Sequence, residues 1–133
     1  MIIVDGYNVI YKWGSLRNLV YNMDLARERL INVLANYQGY AGGDLVIVFD
    51  SKRLDDLPQL ENEPPNIKII YAPSGEGADL YIEKMVYASK NPTGITVVTG
   101  DLQERISAAG NGAQTLSPER FEREVDKVIK NKG

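Results

Sequence analysis

The chain has 133 residues, 44% of them hydrophobic and 25% charged, which is the composition of an ordinary globular domain and not of a disordered or fibrous chain. Its formal net charge of −3 excludes a global basic field, so any nucleic-acid binding must depend on a local patch or a partner. The sequence has no cysteine and no histidine, which excludes disulfides, thiolate or imidazole metal sites and a Ser-His-Asp triad. Any catalysis must use other groups, and we expect carboxylates.

Short apolar runs alternate with segments of helical periodicity along the chain. The runs are continuous, which is typical of buried parallel strands, and in chain order they occupy residues 2–4, 45–49, 67–71, 95–99 and, more weakly, 113–116. Helical spacing of apolar residues predicts three helices: one from Met23 to a stop at Gly39, one from Ala78 to a stop before Asn91-Pro92, and one that begins at Ser117-Pro118.

The alternation of strands and helices predicts an α/β fold, with a parallel sheet covered by helices on both faces, in a single domain over residues 1–133. The polar segment 51–66 contains three prolines and is too long for a routine connection, so we expect a surface loop or short helix there. No apolar run approaches the roughly 20 residues that span a bilayer, and residues 1–5 have the pattern of a strand and not of a signal peptide. We expect a cytoplasmic protein without membrane contact.

Four aspartates fall where the predicted strands end or a following helix begins. Asp5, Asp50 and Asp101 follow the first, second and fourth strands, and Asp79 lies in the first turn of the helix after the third. A single aspartate at such a position commonly caps a helix or forms a turn. Four like charges at one sheet edge are unfavourable, however, unless a cation lies among them or water screens them. We therefore predict a site for Mg²⁺ or Mn²⁺, whose preferred ligands are oxygens.

Such a metal site suits phosphoryl chemistry, because the ion neutralises nonbridging oxygens and lowers the pKa of an attacking water. Three further residues could extend the site, and each also has a structural interpretation. The amide of Asn8 could hold a water or a carboxylate, or it could cap a turn or helix. Glu76 and Glu83 flank Asp79 at helical spacing, but acids on a solvated helix face are more common.

Aromatic and basic residues accompany the ends of the first and second strands. Together they would suit single-stranded RNA, although core packing explains the aromatic residues equally well. These residues are Tyr7, Tyr11, Lys12, Trp13, Arg17, Lys52 and Arg53. The glycines of segment 75–77 resemble the start of a dinucleotide fingerprint, but they follow the third strand, and we interpret them as a flexible lead into a helix.

Four segments resemble the YacP-like NYN domains, a group of PIN-like nucleases, and they occur in order along the chain. They are residues 2–10 (IIVDGYNVI), 37–40 (YQGY), 46–50 (VIVFD) and 75–83 (GEGADLYIE). The resemblance implies a three-layer α/β/α PIN-like sandwich with a central, mostly parallel sheet. It also implies metal-dependent endoribonuclease activity on RNA, with no preference for DNA and with ribosome-associated mRNA as one candidate substrate.

The resemblance also implies roles for the residues that match the family pattern. The metal ligands that it implies are Asp5, Asp50, Asp79 and Asp101. Asn8 is their neighbour in the first motif, and Arg27 matches a family arginine. Two glycines depart from the pattern: Gly77 replaces a hydroxyl residue, and Gly100 replaces the usual serine before Asp101. We therefore expect fewer hydrogen bonds to the carboxylates, which puts the level of activity in doubt.

The sequence thus predicts a Mg²⁺- or Mn²⁺-dependent endoribonuclease that acts on RNA, directly or through the ribosome. In this hypothesis Asp50 supports the metal directly or through water. The catalytic residues of the hypothesis are Asp5, Asn8, Asp79 and Asp101. Its substrate-binding residues are Tyr7, Lys12, Arg27, Lys52 and Arg53.

Two other interpretations of the sequence stay open. The first is a non-catalytic RNA- or ribosome-binding module that keeps the fold and uses the acids for structure. The second is a phosphatase or receiver-like domain, which the residues fit poorly. Tyr7 occupies the position of the second acid of a haloacid-type phosphatase, and Leu116-Ser117-Pro118 stands where a receiver would have a lysine.

Overall fold

The computed structural model describes residues 1–51, 64–73 and 75–132. In this part of the chain the strands are β1 (Ile2–Asp5), β2 (Leu45–Asp50), β3 (Lys68–Ala72), β4 (Thr96–Val98) and β5 (Gln114–Leu116). The helices are α1 (Gly6–Lys12), α2 (Met23–Ala41), α3 (Ala78–Ala88), α4 (Leu102–Gly110) and α5 (Pro118–Lys132), with short 3₁₀ turns at Arg17–Leu19 and Pro92–Gly94. None of the described helices is long and apolar enough to cross a membrane.

The described strands form one sheet in the order β3-β2-β1-β4-β5, and every neighbouring pair is parallel. β1 lies at the centre, with Ile2 opposite Leu45 of β2 and Thr96 of β4. The chain runs from β1 to β2 and β3 in one direction and then crosses back to β4 on the other side of β1. The strand order therefore reverses between β1 and β4, which is where ligands bind in open α/β sheets. The predicted parallel sheet is confirmed.

Helices cover both faces of this sheet. Neighbouring residues of β1 point to opposite sides, as strand geometry requires. Val4 belongs to a core with Leu30 of α2 and Phe121 of α5, whereas Ile3 belongs to a core with Ile82 of α3. Helices α1, α2 and α5 therefore form one layer, and α3 and α4 form the other. The fold is the predicted α/β class, with helices flanking the sheet on both faces.

The connection between β1 and α1 depends on a glycine. α1 starts at Gly6, directly after Asp5, and the ring of Phe49 packs against this turn. A Cβ atom at position 6 would lie 2.4 Å from Phe49 Cε1, so a larger residue would force the ring or the helix to move. This contact fixes the direction of α1 and places its first turn beside the end of the central strand.

The chain after α1 is fixed to the start of α5. Trp13 is buried, its indole Nε1 donates a 2.7 Å hydrogen bond to the carbonyl oxygen of Pro118, and its ring packs on Phe121. The hydroxyl of Ser15 donates to Glu122 Oε2 over 3.1 Å. Trp13 is therefore a core residue. Of the two roles considered for it from the sequence, RNA binding and core packing, the structure supports core packing.

The helices differ from the sequence prediction in three places. α2 does not stop at Gly39 but continues to Ala41, and it ends at Gly42, whose φ of +76° favours glycine. A glycine inside a helix costs only about 1 kcal/mol, which the burial of Tyr37 and its neighbours on the same helix offsets. The apolar periodicity did not predict α1 or α4, because α1 has only 7 residues and α4 buries a glutamate and an alanine.

Candidate active site

The four predicted aspartates lie at the carboxyl edge of the sheet. Asp5 ends β1, Asp50 ends β2, Asp101 caps α4 after β4, and Asp79 lies in the first turn of α3. The charges of Asp79 and Asp101 both act on Asp5 and raise its pKa. A Cβ atom on Gly77 would lie 2.6 Å from Asp79 Oδ1 and 3.9 Å from Asp50 Oδ2, so these two carboxylates are near neighbours. The structure thus brings the four side chains to one edge.

A fifth acidic residue, Glu104, lies in the same cluster and was missed in the sequence. It is only 7% exposed in the first turn of α4, and its carboxyl group forms a hydrogen-bonded pair with Asp5. The buried hydroxyl of Thr99 donates a 2.8 Å hydrogen bond to Glu104 Oε2. The one sequence signal was its position three residues after Asp101, which places both acids at one helix end. That signal has no meaning until α4 is known to start at Leu102.

Burial changes the protonation of the Glu104–Asp5 pair. Burial is the main cause that raises the pKa of Glu104 to about 9, and the charge of Asp5 adds to it. Burial also raises the pKa of Asp5, to which the charges of Asp79 and Asp101 contribute, whereas hydrogen bonds from Glu104 and from the Asn8 N–H lower it. Both shifts favour the protonated form, so at neutral pH the Glu104–Asp5 pair as a whole retains a proton.

The donors of this cluster suit a hard divalent cation, because all of them are oxygen atoms. The buried Oε1 of Glu104 receives no hydrogen bond from an N–H or hydroxyl group in the described part of the chain. This oxygen is therefore stabilised only by a proton or a cation. Among the described residues, no three acidic side chains are grouped closely enough to enclose an ion as they stand. The donor chemistry therefore fits Mg²⁺ or Mn²⁺, while the spacing requires the side chains to converge on the ion.

Asp101 has a structural task that keeps it in place. Its Oδ1 accepts hydrogen bonds from the backbone N–H groups of Gln103 (2.9 Å) and Glu104 (3.2 Å), so it is the N-cap of α4. Its own backbone N–H donates to Thr99 Oγ1 over 3.1 Å. The helix-cap interpretation of this aspartate is therefore correct, and it leaves the carboxylate at the sheet edge beside Asp5.

Asn8 joins the end of β1 to the loop after β4. Its Oδ1 accepts a 2.7 Å hydrogen bond from the backbone N–H of Gly100, the residue before Asp101. The backbone N–H of Asn8 also lowers the pKa of Asp5. The amide oxygen is thus occupied by a backbone contact, so Asn8 positions the two carboxylate-bearing segments relative to each other.

Gly100, one of the two glycines that depart from the family pattern, follows a threonine whose hydroxyl forms two hydrogen bonds. The hydroxyl of Thr99, one residue before Gly100, contacts both Asp101 N–H and Glu104. A Cβ atom on Gly100 would lie 3.0 Å from Asn8 Oδ1, which is a tight contact. Thr99 therefore donates a hydrogen bond to one carboxyl group of the cluster, that of Glu104, while the expected shortage at positions 77 and 100 stays a prediction.

Tyr7 and Arg27, which were predicted to bind substrate, are bound to each other. Arg27 is 7% exposed, and its Nη1 donates a 2.9 Å hydrogen bond to the Tyr7 hydroxyl. Arg27 also forms an ion pair with Asp24, and the Tyr7 ring packs on Phe49 with 5.0 Å between ring centroids. A direct contact of Arg27 with RNA would require the guanidinium to leave both partners, so the structure favours an anchoring role for this pair.

The other residues that were considered for the site differ in exposure and in their distance from the carboxylates. Lys12 is exposed, and its Cε lies 3.6 Å from the position that a Cβ on Gly100 would take, so this lysine lies at the rim of the cluster. Lys52 and Arg53 lie outside the described residues. Glu76 is engaged in an ion pair with Lys84. Of Lys12 and Arg27, the two described basic residues that were predicted to bind substrate, Lys12 is therefore the one whose position fits a phosphate contact.

Comparisons with known proteins identify the family. The YacP-like NYN domain pattern matches residues 2–133. The chain is 35% identical over 130 residues to the uncharacterized protein YacP of Bacillus subtilis (strain 168), covering 96% of this chain and 76% of that protein. Two crystal structures of Rae1 (YacP) from Bacillus subtilis, one of them a mutant, are 33% identical to it. They cover 98% of this chain and 76% of the other, with TM-scores of 0.83 and 0.81. The chain therefore belongs to the YacP-like NYN domain family of the PIN-like nuclease superfamily.

Proposed function

We propose that this protein is a divalent-metal-dependent endoribonuclease that hydrolyses phosphodiester bonds in RNA. The observation that supports it most is the buried pair of Glu104 and Asp5, which has Asp79 and Asp101 beside it where the strand order reverses. Burying and grouping like charges costs free energy, which a purely structural role does not explain. Membership of the PIN-like nuclease superfamily favours the same chemistry.

In this proposal the carboxylates of Asp5, Asp79 and Asp101 hold Mg²⁺ or Mn²⁺, and Asp50 and Glu104 support them. When bound, the ion would neutralise phosphate oxygens and lower the pKa of a water molecule. Glu104 would give up its proton as the ion binds, because carboxylates coordinate in the ionised form. Both carboxylates of the pair would then be anionic, with Asp5 as a ligand and Glu104 as its support.

The residues around the acids position them and the substrate. Asn8 and Thr99 hold the loop that carries Asp101, so acids from two neighbouring strands keep a fixed relation. Lys12 would contact a phosphate at the rim, and Tyr7 with Arg27 would anchor α1. The remaining substrate contacts proposed from the sequence are Lys52 and Arg53. The proposed setting is cytoplasmic RNA, with mRNA on the ribosome as one form of the substrate.

Cleavage of a short single-stranded RNA in Mg²⁺ or Mn²⁺ tests this function. We expect internal cuts by the wild type and a loss of two or more orders of magnitude in kcat for Asp5→Asn and Asp79→Asn, because each removes a charged ligand. Asp126→Asn, which changes an exposed aspartate of α5, is the matched control and should cut at the wild-type rate. Wild-type rates in both site variants would overturn the assignment.

A non-catalytic RNA- or ribosome-binding module is the second candidate. The cap that Asp101 provides for α4 favours it, since this acid has a structural task without any ion. Calorimetry with Mn²⁺ and an RNA-binding assay separate the two functions. Metal binding no tighter than about millimolar, with RNA bound and left uncut, would support the binding module.

A further inference from the structure

The backbone pairing between the strands that carry Asp5 and Asp50 ends before Asp50. In the parallel ladder of β1 and β2, the last pair joins Asp5 to Val48. β2 continues for two more residues, Phe49 and Asp50, and along this stretch it is paired with β3. Strand pairing with β1 therefore does not set the position of Asp50 relative to Asp5.

A contact between aromatic rings continues the connection of β1 to β2 past the last strand pair. Tyr7 lies in the first turn of α1, and its ring centroid is 5.0 Å from that of Phe49. The Phe49 ring also packs against the turn at Gly6. Tyr7 follows Asp5 by two residues, and Phe49 directly precedes Asp50. The contact of the two rings therefore connects the segments that carry the two carboxylates.

The rings and the carboxylates lie on opposite faces of the sheet. Side chains alternate along a strand, so Asp5 points to the same face as Ile3, which belongs to the core under α3. Phe49 belongs to the core under α1 and α2, with Tyr7 packed against it, so the next residue, Asp50, points to the α3 face as well. The ring contact can therefore position both carboxylates without touching an ion that they hold.

Arg27 of α2 fixes the Tyr7 ring in this contact. Its Nη1 donates a 2.9 Å hydrogen bond to the Tyr7 hydroxyl, and its guanidinium carbon lies 6.0 Å from the centre of the ring. Arg27 is buried and also forms an ion pair with Asp24. Because a buried guanidinium that loses a partner is costly, the bond to Tyr7 resists displacement of the ring from Phe49.

We propose that Arg27 and Tyr7 are positioning residues for the proposed metal site. The hydrogen bond from Arg27 keeps the Tyr7 ring against Phe49. The ring contact in turn sets the separation of the Asp5 and Asp50 carboxylates, and so the affinity of the cluster for a divalent cation. This inference rests on the proposed function, in which Asp5 holds the ion and Asp50 supports it.

The test measures Mn²⁺ affinity by calorimetry, together with kcat and KM for a short single-stranded RNA. Tyr7→Phe keeps the ring and removes the hydroxyl that accepts the hydrogen bond, and Arg27→Met removes the donor. Tyr40→Phe and Arg29→Met make the same changes at exposed positions of α2 and are the matched controls. Urea unfolding of each variant measures its stability and shows that it is folded in the assay.

We expect Tyr7→Phe to weaken Mn²⁺ binding about threefold to tenfold and to lower kcat by a similar factor, because the carboxylates lose their spacing. KM for RNA should change by less than about twofold, since neither residue contacts the substrate. Arg27→Met should cause equal or larger losses. The double variant should be no worse than Arg27→Met, because both changes break the same bond. Both controls should bind Mn²⁺ and cut RNA like the wild type.

Three results would overturn the inference. Wild-type Mn²⁺ affinity and kcat in Tyr7→Phe, with only the unfolding free energy lowered, would show an ordinary core hydrogen bond. A rise in KM at constant kcat would make the pair an RNA contact. Additive losses in the double variant would show that the two residues act independently. If Arg27→Met does not fold, Tyr7→Phe decides by itself.

Measurements on the wild type distinguish a failure of the inference from a failure of the proposed function. A wild type that binds Mn²⁺ but leaves RNA uncut would contradict the proposed function, and the Mn²⁺ affinities of the variants would still decide whether Arg27 and Tyr7 position the carboxylates. A wild type that binds no Mn²⁺ would overturn both.

Discussion

Glu104 and Asp5 form a carboxyl pair that holds a proton inside the protein, although they lie on elements far apart in the sequence. Glu104 lies in the first turn of α4, Asp5 lies at the end of β1, and the strand order reverses between these two elements. The pair is hydrogen-bonded to Thr99 on one side and exposed to the charges of Asp79 and Asp101 on the other. In the proposed function, a bound cation would take the place of this proton.

The first prediction concerns the stability of the metal-free protein in EDTA. Glu104 keeps its proton up to about pH 9 in the folded state, whereas in the unfolded state it ionises near 4.5. Between these values the folded state binds more protons, so the free energy of unfolding must fall as pH rises, by up to about 1.4 kcal/mol per pH unit for one proton. Urea unfolding at pH 5, 7 and 9 measures this slope.

Glu104→Gln should flatten that dependence, because the amide cannot ionise and keeps the neutral shape of the protonated acid. The matched control is Glu28→Gln, which changes an exposed acid on α2 and should leave the slope as it is. Identical slopes in wild type and Glu104→Gln would show that the pair does not hold the proton assigned to it.

The second prediction concerns Asn8. Asn8→Ala removes the acceptor for the Gly100 N–H and so frees the loop that carries Asp101. We expect a loss of about 1–2 kcal/mol in unfolding free energy. We also expect a fall of about tenfold or more in kcat with KM nearly unchanged, because a displaced carboxylate affects chemistry more than binding. Asn36→Ala on the exposed side of α2 is the control. A large rise in KM at constant kcat would instead make Asn8 a substrate contact.

The third prediction concerns the turn between β1 and α1. Gly6→Ala places a methyl group only 2.4 Å from Phe49 Cε1, so we expect a destabilisation of about 1–3 kcal/mol. Gly14→Ala is the matched control, because nothing lies within 4 Å of the position that its Cβ would take. Chemical denaturation of both variants compares them directly. Equal unfolding free energies of the two variants would mean that the Phe49 ring moves aside without destabilising the protein.

The fourth prediction concerns the lysine at the rim of the cluster. Lys12→Ala should raise KM for RNA about three- to tenfold and reduce the salt dependence of binding, because one phosphate contact is lost. Lys12→Arg should restore part of the affinity, since the positive charge returns. The control is Lys90→Ala, an exposed lysine between α3 and β4 at the opposite end of the sheet. Equal effects of both alanine variants would remove Lys12 from the site.

Much of the fold was predictable because the strands are buried on both faces. A parallel strand covered by helices on both sides must be apolar throughout, and the runs that become β1, β2 and β4 have that composition. The aspartates that follow them could be placed at one sheet edge by topology alone. This reasoning requires only that the strands be parallel, which the alternation of strands and helices predicts.

The parts that could not be predicted depend on side-chain contacts between distant segments. A glutamate in a polar helix such as α4 is expected to be exposed to solvent. Only the folded positions of Asp5 and Thr99 show that Glu104 is buried. An arginine near a predicted RNA site is expected to bind RNA, but Arg27 is buried and donates a hydrogen bond to the Tyr7 hydroxyl. A glycine such as Gly39 commonly ends a helix. Helix α2 nevertheless continues past Gly39, because residues on the opposite face of this helix are buried in the core.

The most direct test of the central claim is anomalous diffraction from crystals soaked in Mn²⁺. The account predicts one strong peak at the carboxyl edge between β1 and β4, about 2.1 Å from carboxylate oxygens of Asp5 and at least one of Asp79 and Asp101. The same peak should vanish in Asp5→Asn crystals. A peak elsewhere, or none at saturating Mn²⁺, would contradict the claim that these acids exist to hold a cation.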